Sequence, residues 1–293
     1  MATTVTTEQK SWFADAVAIA AADAVPAALA LNTNVVTPCA VSDGDQRRVL
    51  VPFIDTDPTA ATVKEGAEIA AGDPTLDELA FSTVKVGLIH TLSNETMRAI
   101  TTGTATTGGT SATDQLSASL QRSVTAKLDS LMLATPAPTK ETLANAEYPT
   151  AGIAVNADNI QGGQITTDLA PMLDAIATIT ENGAVPTAIV MAPTAWAKIL
   201  KLTAKDGRPL LSGDVQQATA LQLFGLPVVV NSRMPSGGVL IVDAANVFAA
   251  VSSLSVVVDE SAAFRNDSSL IRVTARIGWG VARPNRSAYL TVA

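Results

Sequence analysis

The sequence predicts an α+β protein of two lobes, and three observations lead there. A long amphipathic helix, Asp114–Ala134, carries Leu116, Leu120, Val124, Leu128, Leu131 and Met132 on one stripe. Residues 164–251 alternate short apolar strands with helices, as an α/β unit does. Strand-like segments flank these regions at 46–54, 79–92 and 255–292. With 293 residues, the chain is long for a single core and suits two lobes.

Composition narrows the function. Hydrophobic residues make up 47% and charged residues 16%, so the chain buries a large core and lacks the charge load of a disordered protein. Aromatics are 4%, which leaves the core to Ala, Val, Leu and Ile. A monomer keeps soluble with a well-charged surface. Few charges therefore favour a surface covered by copies of the same chain over a compact enzyme. A net charge of −8 argues against a nucleic-acid reader, which needs clustered Lys and Arg to displace counterions. It is compatible with enclosing nucleic acid without gripping it. Cys39 is the single cysteine, which rules out an internal disulfide or a Cys-based metal cluster and fits a reducing compartment. The apolar stretch Ala14–Leu31 contains Asp15, Asp23 and Pro26, so it is neither a bilayer span nor a signal segment.

The elements follow in chain order. Ser11 is placed to cap a helix from Trp12 to about Ala24, with Trp12, Ala16, Ile19 and Ala20 on a narrow face; this reads as a docking arm. Gln46–Ile54 reads as a strand broken by Asp55-Thr56-Asp57-Pro58. Thr59–Pro74 has no apolar period. Leu79–Leu92 is strand-like again, with Val84, Val86, Leu88, His90 and Leu92 on one face. Two strands separated by so long an excursion make a functional loop. Thr101–Thr113 is a low-complexity linker, and Pro136–Gln164 reads as irregular. Helices are expected at Thr167–Thr180 (Leu169, Met172, Leu173, Ile176 and Ile179 inward), Thr194–Leu202 and Val215–Phe224, the last ended by Gly225. Lys205–Arg208 reads as a turn. Strands are expected at Ala188–Met191, Val228–Asn231, Val239–Val242, Val247–Val251, Ser255–Asp259, Ser269–Val281 and Ser287–Val292.

No constellation carries catalysis. His90 is the only histidine and sits on a strand, where a packed or half-exposed ring is its ordinary role. Ser82-Thr83-Val84-Lys85 matches S-x-x-K, but on a strand residues three apart point to opposite faces. Gly103–Thr113 opens a helix as a phosphate loop does, yet lacks the G-K-[ST] ending. Asp43, Asp45, Asp55 and Asp57 lack calcium-loop spacing and read as turn residues. The sequence names no catalytic, metal or cofactor residue.

The run of short segments is more telling. Val49-Leu50-Val51-Pro52, Thr62-Val63-Lys64-Glu65-Gly66, Leu92-Ser93-Asn94-Glu95, Met191-Ala192-Pro193-Thr194-Ala195-Trp196, Lys205-Asp206-Gly207-Arg208-Pro209, Phe224-Gly225-Leu226-Pro227-Val228 and Arg283-Pro284 occur in an order that resembles the major capsid proteins of tailed bacteriophages. Each piece is short and degenerate; their order over residues 46–293 is the specific signal.

The resemblance implies a Hong Kong 97-like capsid fold. It would have an N-terminal arm (1–45), an E-loop region (46–80, loop about 56–79) and an α/β axial domain (164–251). A discontinuous peripheral domain (81–163 and 252–293) would carry the spine helix at about 114–134. The implied function is structural: pentamers and hexamers assembling, in the host bacterial cytoplasm, into an icosahedral virion capsid around double-stranded DNA bound without sequence preference. Implied partners are the chain itself, a separate scaffolding protein, a portal and decoration proteins, with no membrane. Expected inter-subunit contacts are Trp12, Phe13, Lys64, Glu65, Glu68, Asp73, Arg272, Arg276 and Arg283.

Some relatives join an E-loop lysine to an asparagine beside a catalytic glutamate. Here Glu68–Asp73 at the loop tip holds no lysine, Asn266 matches the acceptor, and the glutamate position falls near Ala275. A shell without crosslinks is expected. Only about 45 residues precede Gln46, hence the expectation of separate scaffolding. An encapsulin-like nanocompartment shell is the nearest alternative, separable by what the particle encloses. A soluble α/β hydrolase using Ser82 or Asp residues is the alternative of another class, separable by particle size.

Overall fold

The computed structural model describes residues 17–19, 28–39, 48–56, 58, 60, 62–66, 68, 72–95, 106–107, 110–137, 150–203 and 221–293. In chain order the strands and helices begin with β1 (Val17–Ile19), β2 (Thr37–Cys39), β3 (Arg48–Thr56), β4 (Thr75–Ser82) and β5 (Val84–Ser93). A two-residue ladder, β6 (Thr106–Thr107) with β7 (Thr110–Ser111), leads into helix α1 (Ala112–Ala134). Then come β8 (Ile160–Ile165), α2 (Ala170–Glu181), β9 (Ala188–Met191), α3 (Pro193–Leu200), β10 (Gln222–Leu223), β11 (Leu226–Val230) and β12 (Gly238–Val242). The chain closes with β13 (Val247–Val251), β14 (Leu254–Ala263), β15 (Ser268–Val281) and β16 (Ala288–Val292).

Two six-stranded sheets result. The first runs β1-β14-β15-β13-β2, with β5 on the remaining edge of β15. The 14-residue β15 is its backbone: β5 covers Ser268–Ile277 on one side, while β14 and then β13 share the other. The second sheet runs β10-β11-β9-β12-β16-β8 and is mixed, with β9/β11 and β8/β16 parallel. At its centre β9 (AIVM) and β12 (GVLIV) are buried at every position, as continuous apolar strands covered on both faces must be.

Helix α1 spans about 35 Å at 1.5 Å per residue. Leu120, Val124, Leu128, Leu131 and Met132 are buried along its stripe, as the periodicity predicted. Its last carbonyls are satisfied by a returning strand of chain: Gly152, Ile153 and Ala154 N–H groups donate to Thr135, Met132 and Leu133. One continuous buried cluster runs from α1 through both sheets, with Trp279 as its largest member, its indole N–H donating to the Ala151 carbonyl at 2.8 Å.

Several expectations are corrected. Within the expected helix 12–24, Val17–Ile19 is a strand paired with Leu254–Val256; the edge of β14 supplies a ladder that outweighs helix periodicity. Residues 28–39, expected within an N-terminal arm, lie inside the body. Ala28, Leu29, Ala30, Val35 and Val36 are buried, and Thr37–Cys39 pairs with β13. The expected single strand 79–92 divides at Thr83, and β4 begins at Thr75, so the excursion is shorter than expected. Ile160–Ile165 is a strand where irregular chain was expected. Its Gly162-Gly163 hid the alternation, and Gly162 is required because a Cβ there would stand 2.6 Å from Leu290.

The described end of the expected helix 215–224 is strand β10, turning into β11 through Phe224 and Gly225 at φ 54° and 77°. Two consecutive positive φ values make a two-residue type I′ hairpin turn, and the Gly read as a helix stop serves that turn. In α2, Met172, Ala175 and Ile179 face inward, whereas Leu173, expected inward, is half exposed. The two sheets also exchange strands across the expected domain division: β16 joins β12 and β8, and β13 joins β15.

Candidate functional site

The ribbon β3–β4 projects as a separate two-stranded sheet, with Arg48 opposite Ser82 and Thr56 opposite Thr75. Alternation gives it two faces. Val49, Val51, Phe53, Leu79 and Phe81 share the inner face. At the base, Val49 and Phe81 are buried with Ala250, and Cys39, Val51, Leu79 and Phe248 pack around them. The body offers a slot there: a Cβ on Gly278 would stand 3.0 Å from the Phe81 ring, and one on Gly280 would stand 2.9 Å from Phe81 and 3.0 Å from Leu79. Glycine on β15 therefore admits the ribbon's aromatic base. Burial at this base pushes the Cys39 thiol pKa up, so it behaves as a packing residue.

The outer face reads Leu50, Pro52, Ile54 on β3 and Leu76, Glu78, Ala80 on β4. Leu50 is 50% exposed, Ile54 44% and Leu76 75%. A two-stranded ribbon is at best marginally stable alone, and this one turns an apolar stripe outward. Its charge is also one-sided: between residues 55 and 78 the sequence has seven acids (Asp55, Asp57, Glu65, Glu68, Asp73, Asp77, Glu78) and one base, Lys64. Lys64, Glu65, Glu68 and Asp73 are exposed.

A second surface lies on the first sheet. Lys85 stands opposite Arg276 and Ile89 opposite Arg272 across the β5/β15 ladder. Lys85 and Arg272 are exposed, and Ile89 is 63% exposed. Ala275, on the other face of β15, is buried, and Asn266 is exposed in the 3-10 turn before β15. No acid stands at the position that the resemblance assigns to a catalytic glutamate.

Arg283 makes contacts within its own chain. It stands between β15 and β16 and reaches its own ribbon: Nη2 donates to the carbonyls of Ile54 and Asp55, the latter at 2.9 Å, and the guanidinium lies 5.9 Å from the Phe53 ring centre. Trp12 and Phe13 lie outside the described residues, as does the Lys205–Arg208 turn. The Ser82/Lys85 pair is split between the ribbon and β5. Among the described residues no group of three or more His, Cys, Asp or Glu is arranged to hold a metal, and no helix is long and apolar enough to cross a membrane.

Sequence reading missed one polar junction. Asp129 of α1 is 5% exposed; its carboxylate accepts from Leu29 N–H at 2.8 Å and from the Asn231 side-chain amide at 2.7 Å. Burial raises its pKa above the ordinary Asp value, against the lowering effect of these two bonds and of Arg233. One acid in a helix stripe gives no sequence signal, because an exposed position is the ordinary reading.

An outward apolar ribbon face, exposed acids beyond it and a basic stretch of the first sheet are the surface features that stand out on the single chain. They sit on two six-stranded sheets that share one core, an α+β fold of the Hong Kong 97 type. The comparisons agree. The chain belongs to the Phage capsid family, whose model matches residues 33–292. No curated protein matches it.

Solved structures share its fold at low identity. The structure of Gordonia phage Cozz is 15% identical with a TM-score of 0.64, covering 97% of this chain and 90% of that one. Microbacterium phage Oxtober96 gives 14%, 0.66, 91% and 91%. The capsid of an empty GTA particle gives 16%, 0.64, 88% and 88%. The protein is thus a structural capsid protein of the virion, not an enzyme.

Proposed function

We propose that this capsid protein assembles as pentamers and hexamers into an icosahedral shell around double-stranded phage DNA. The observation that carries this reading is the β3–β4 ribbon, whose outer face exposes Leu50, Ile54 and Leu76. Covering that stripe needs another copy. The acidic stretch 55–78 lies on the neighbour's basic β5/β15 face, so that Lys64, Glu65, Glu68 and Asp73 of one copy meet Arg272 and Arg276 of the next. Such head-to-tail contacts are heterologous and close into rings.

The first sheet with α1 forms the peripheral lobe and the second sheet with α2 and α3 the axial lobe, which meets its copies around the ring centre. Trp12 and Phe13 extend these contacts from the N-terminal side. A net charge of −8 leaves packed DNA loosely held, with mobile cations between. Assembly takes place in the host bacterial cytoplasm, with a separate scaffolding protein, a portal and decoration proteins as partners.

Sedimentation and negative staining of the purified protein test the assembly: capsomer rings or megadalton shells are expected, and a stable monomer at all concentrations would refute it. Nuclease treatment of particles from producing cells tests the content. Protected double-stranded DNA is expected; a protein cargo in its place would make the shell a nanocompartment.

A further inference from the structure

The ribbon is attached to its own body at two places of different character. The base is a packed seat: Phe81 and Leu79 over Gly278 and Gly280, with Val49 against Ala250. The second attachment is polar and stands alone. The β3/β4 register shifts between Ile54 and Thr56, a bulge that takes backbone groups out of the ladder. The carbonyls of Ile54 and Asp55 there accept from Arg283, whose guanidinium lies over Phe53. Charge-assisted bonds of this kind are strong, yet the Arg283 Nε–H is buried with no partner. An orphaned buried donor carries a cost of the same order as a bond gained. The orphan offsets about one of the two bonds, which leaves a hold of one charge-assisted bond and a ring contact.

Beneath this contact is an open cavity of about 270 Å³ lined by Phe53, Ile54, Ala245, Asn246, Phe248 and Arg283. At Phe53 and Ile54 the ribbon thus borders an open cleft, and among the described residues Arg283 is the side chain that bonds across it. Arg283 itself sits in the link between β15 of the first sheet and β16 of the second, where the Ala282 N–H bonds the Asn246 carbonyl.

We propose that Arg283 is a releasable latch that fixes the swing angle of the ribbon. Latched, the arm stands at one angle to the body; released, its outer half swings into or away from the cavity while the base stays seated. One sequence can then present its arm at the different angles that non-identical positions in a shell require. This rests on the ribbon being the assembly arm, but the latch is a property of the single subunit and is testable there.

The test is amide hydrogen exchange on unassembled subunits of wild type, Arg283→Ala and Arg283→Lys. In Arg283→Ala, exchange at residues 53–56 and 75–77 rises at least tenfold, while residues 48–51 and 79–82 keep wild-type protection. Arg283→Lys, which replaces the planar fork by a point donor, falls between. Unchanged exchange at 53–56, or an equal rise along the whole ribbon, overturns the latch. If the alanine variant does not fold, the lysine variant carries the same comparison. Because no shell is needed, failure here leaves the assembly reading standing, and failure to assemble leaves the latch standing. Within shells, Arg283→Ala should broaden the distribution of particle diameters relative to wild type.

Discussion

Leu76 offers the sharpest separation between folding and assembly. It is 75% exposed on the outer face of the ribbon, opposite Ile54. In the single subunit, replacing it by Ser removes almost no packing, and exposed substitutions change stability by about 0.5 kcal/mol or less. For a chain of this size that is a melting shift of roughly 2 °C at most. In the proposed shell, a neighbour covers the side chain. Complete burial of a Leu is worth about 1.5–3 kcal/mol, so the exposed three-quarters contributes about 1–2 kcal/mol to each contact. That is roughly a 5- to 30-fold change in each contact's equilibrium constant. Light scattering against protein concentration reads it as a higher threshold for assembly, and a thermal melt of unassembled subunits reads the fold. An unchanged threshold in Leu76→Ser, or a melting loss of many degrees, would refute the reasoning.

Other positions carry their own expectations. Gly280→Val places a side chain into Phe81 and Leu79; overpacking should cost about 1–3 kcal/mol, read as a lower melting temperature with faster exchange at the ribbon base. Asp129 gives a pH signature. Its folded pKa is raised, so its contribution to stability is full below the ordinary Asp value and is lost as pH rises through the folded one. Asp129→Asn should flatten that part of the stability–pH curve, and a variant that keeps the wild-type slope would contradict the assignment. Glu65→Lys should lower particle yield with the subunit melt unchanged, since Glu65 is exposed on the acidic arm.

Much of the fold was legible because its signals are local. The α1 stripe declares itself by its period and β9 by its apolar run, and each is observed within two residues of its expected bounds. The misses share a cause: long-range pairing decides them. Val17–Ile19 becomes a strand because β14 is there to receive it, and Ile160–Ile165 because β16 is. Residues 28–39 look like the tail of an arm, and only the fold reveals that the Leu29–Leu31 turn packs against α1 and β13 and that Val36 is buried in the same core.

At the candidate site, sequence order pointed to the ribbon and its charges, since exposed Lys64, Glu65 and Glu68 interrupt any apolar period. It could not show that Arg283 reaches back across more than two hundred residues to Ile54, nor that Gly278 and Gly280 form the seat of Phe81. Those contacts exist only when β3, β13 and β15 are brought together.

The central claim is that the ribbon's outer face is finished by another copy of the chain. A reconstruction of the assembled particle by electron cryomicroscopy tests it most directly. The account predicts a closed shell in which Leu50, Ile54 and Leu76 of each ribbon are covered by an adjacent subunit, with the acidic arm near Arg272 and Arg276. A particle in which those three residues face solvent, or fold against their own subunit, would contradict it.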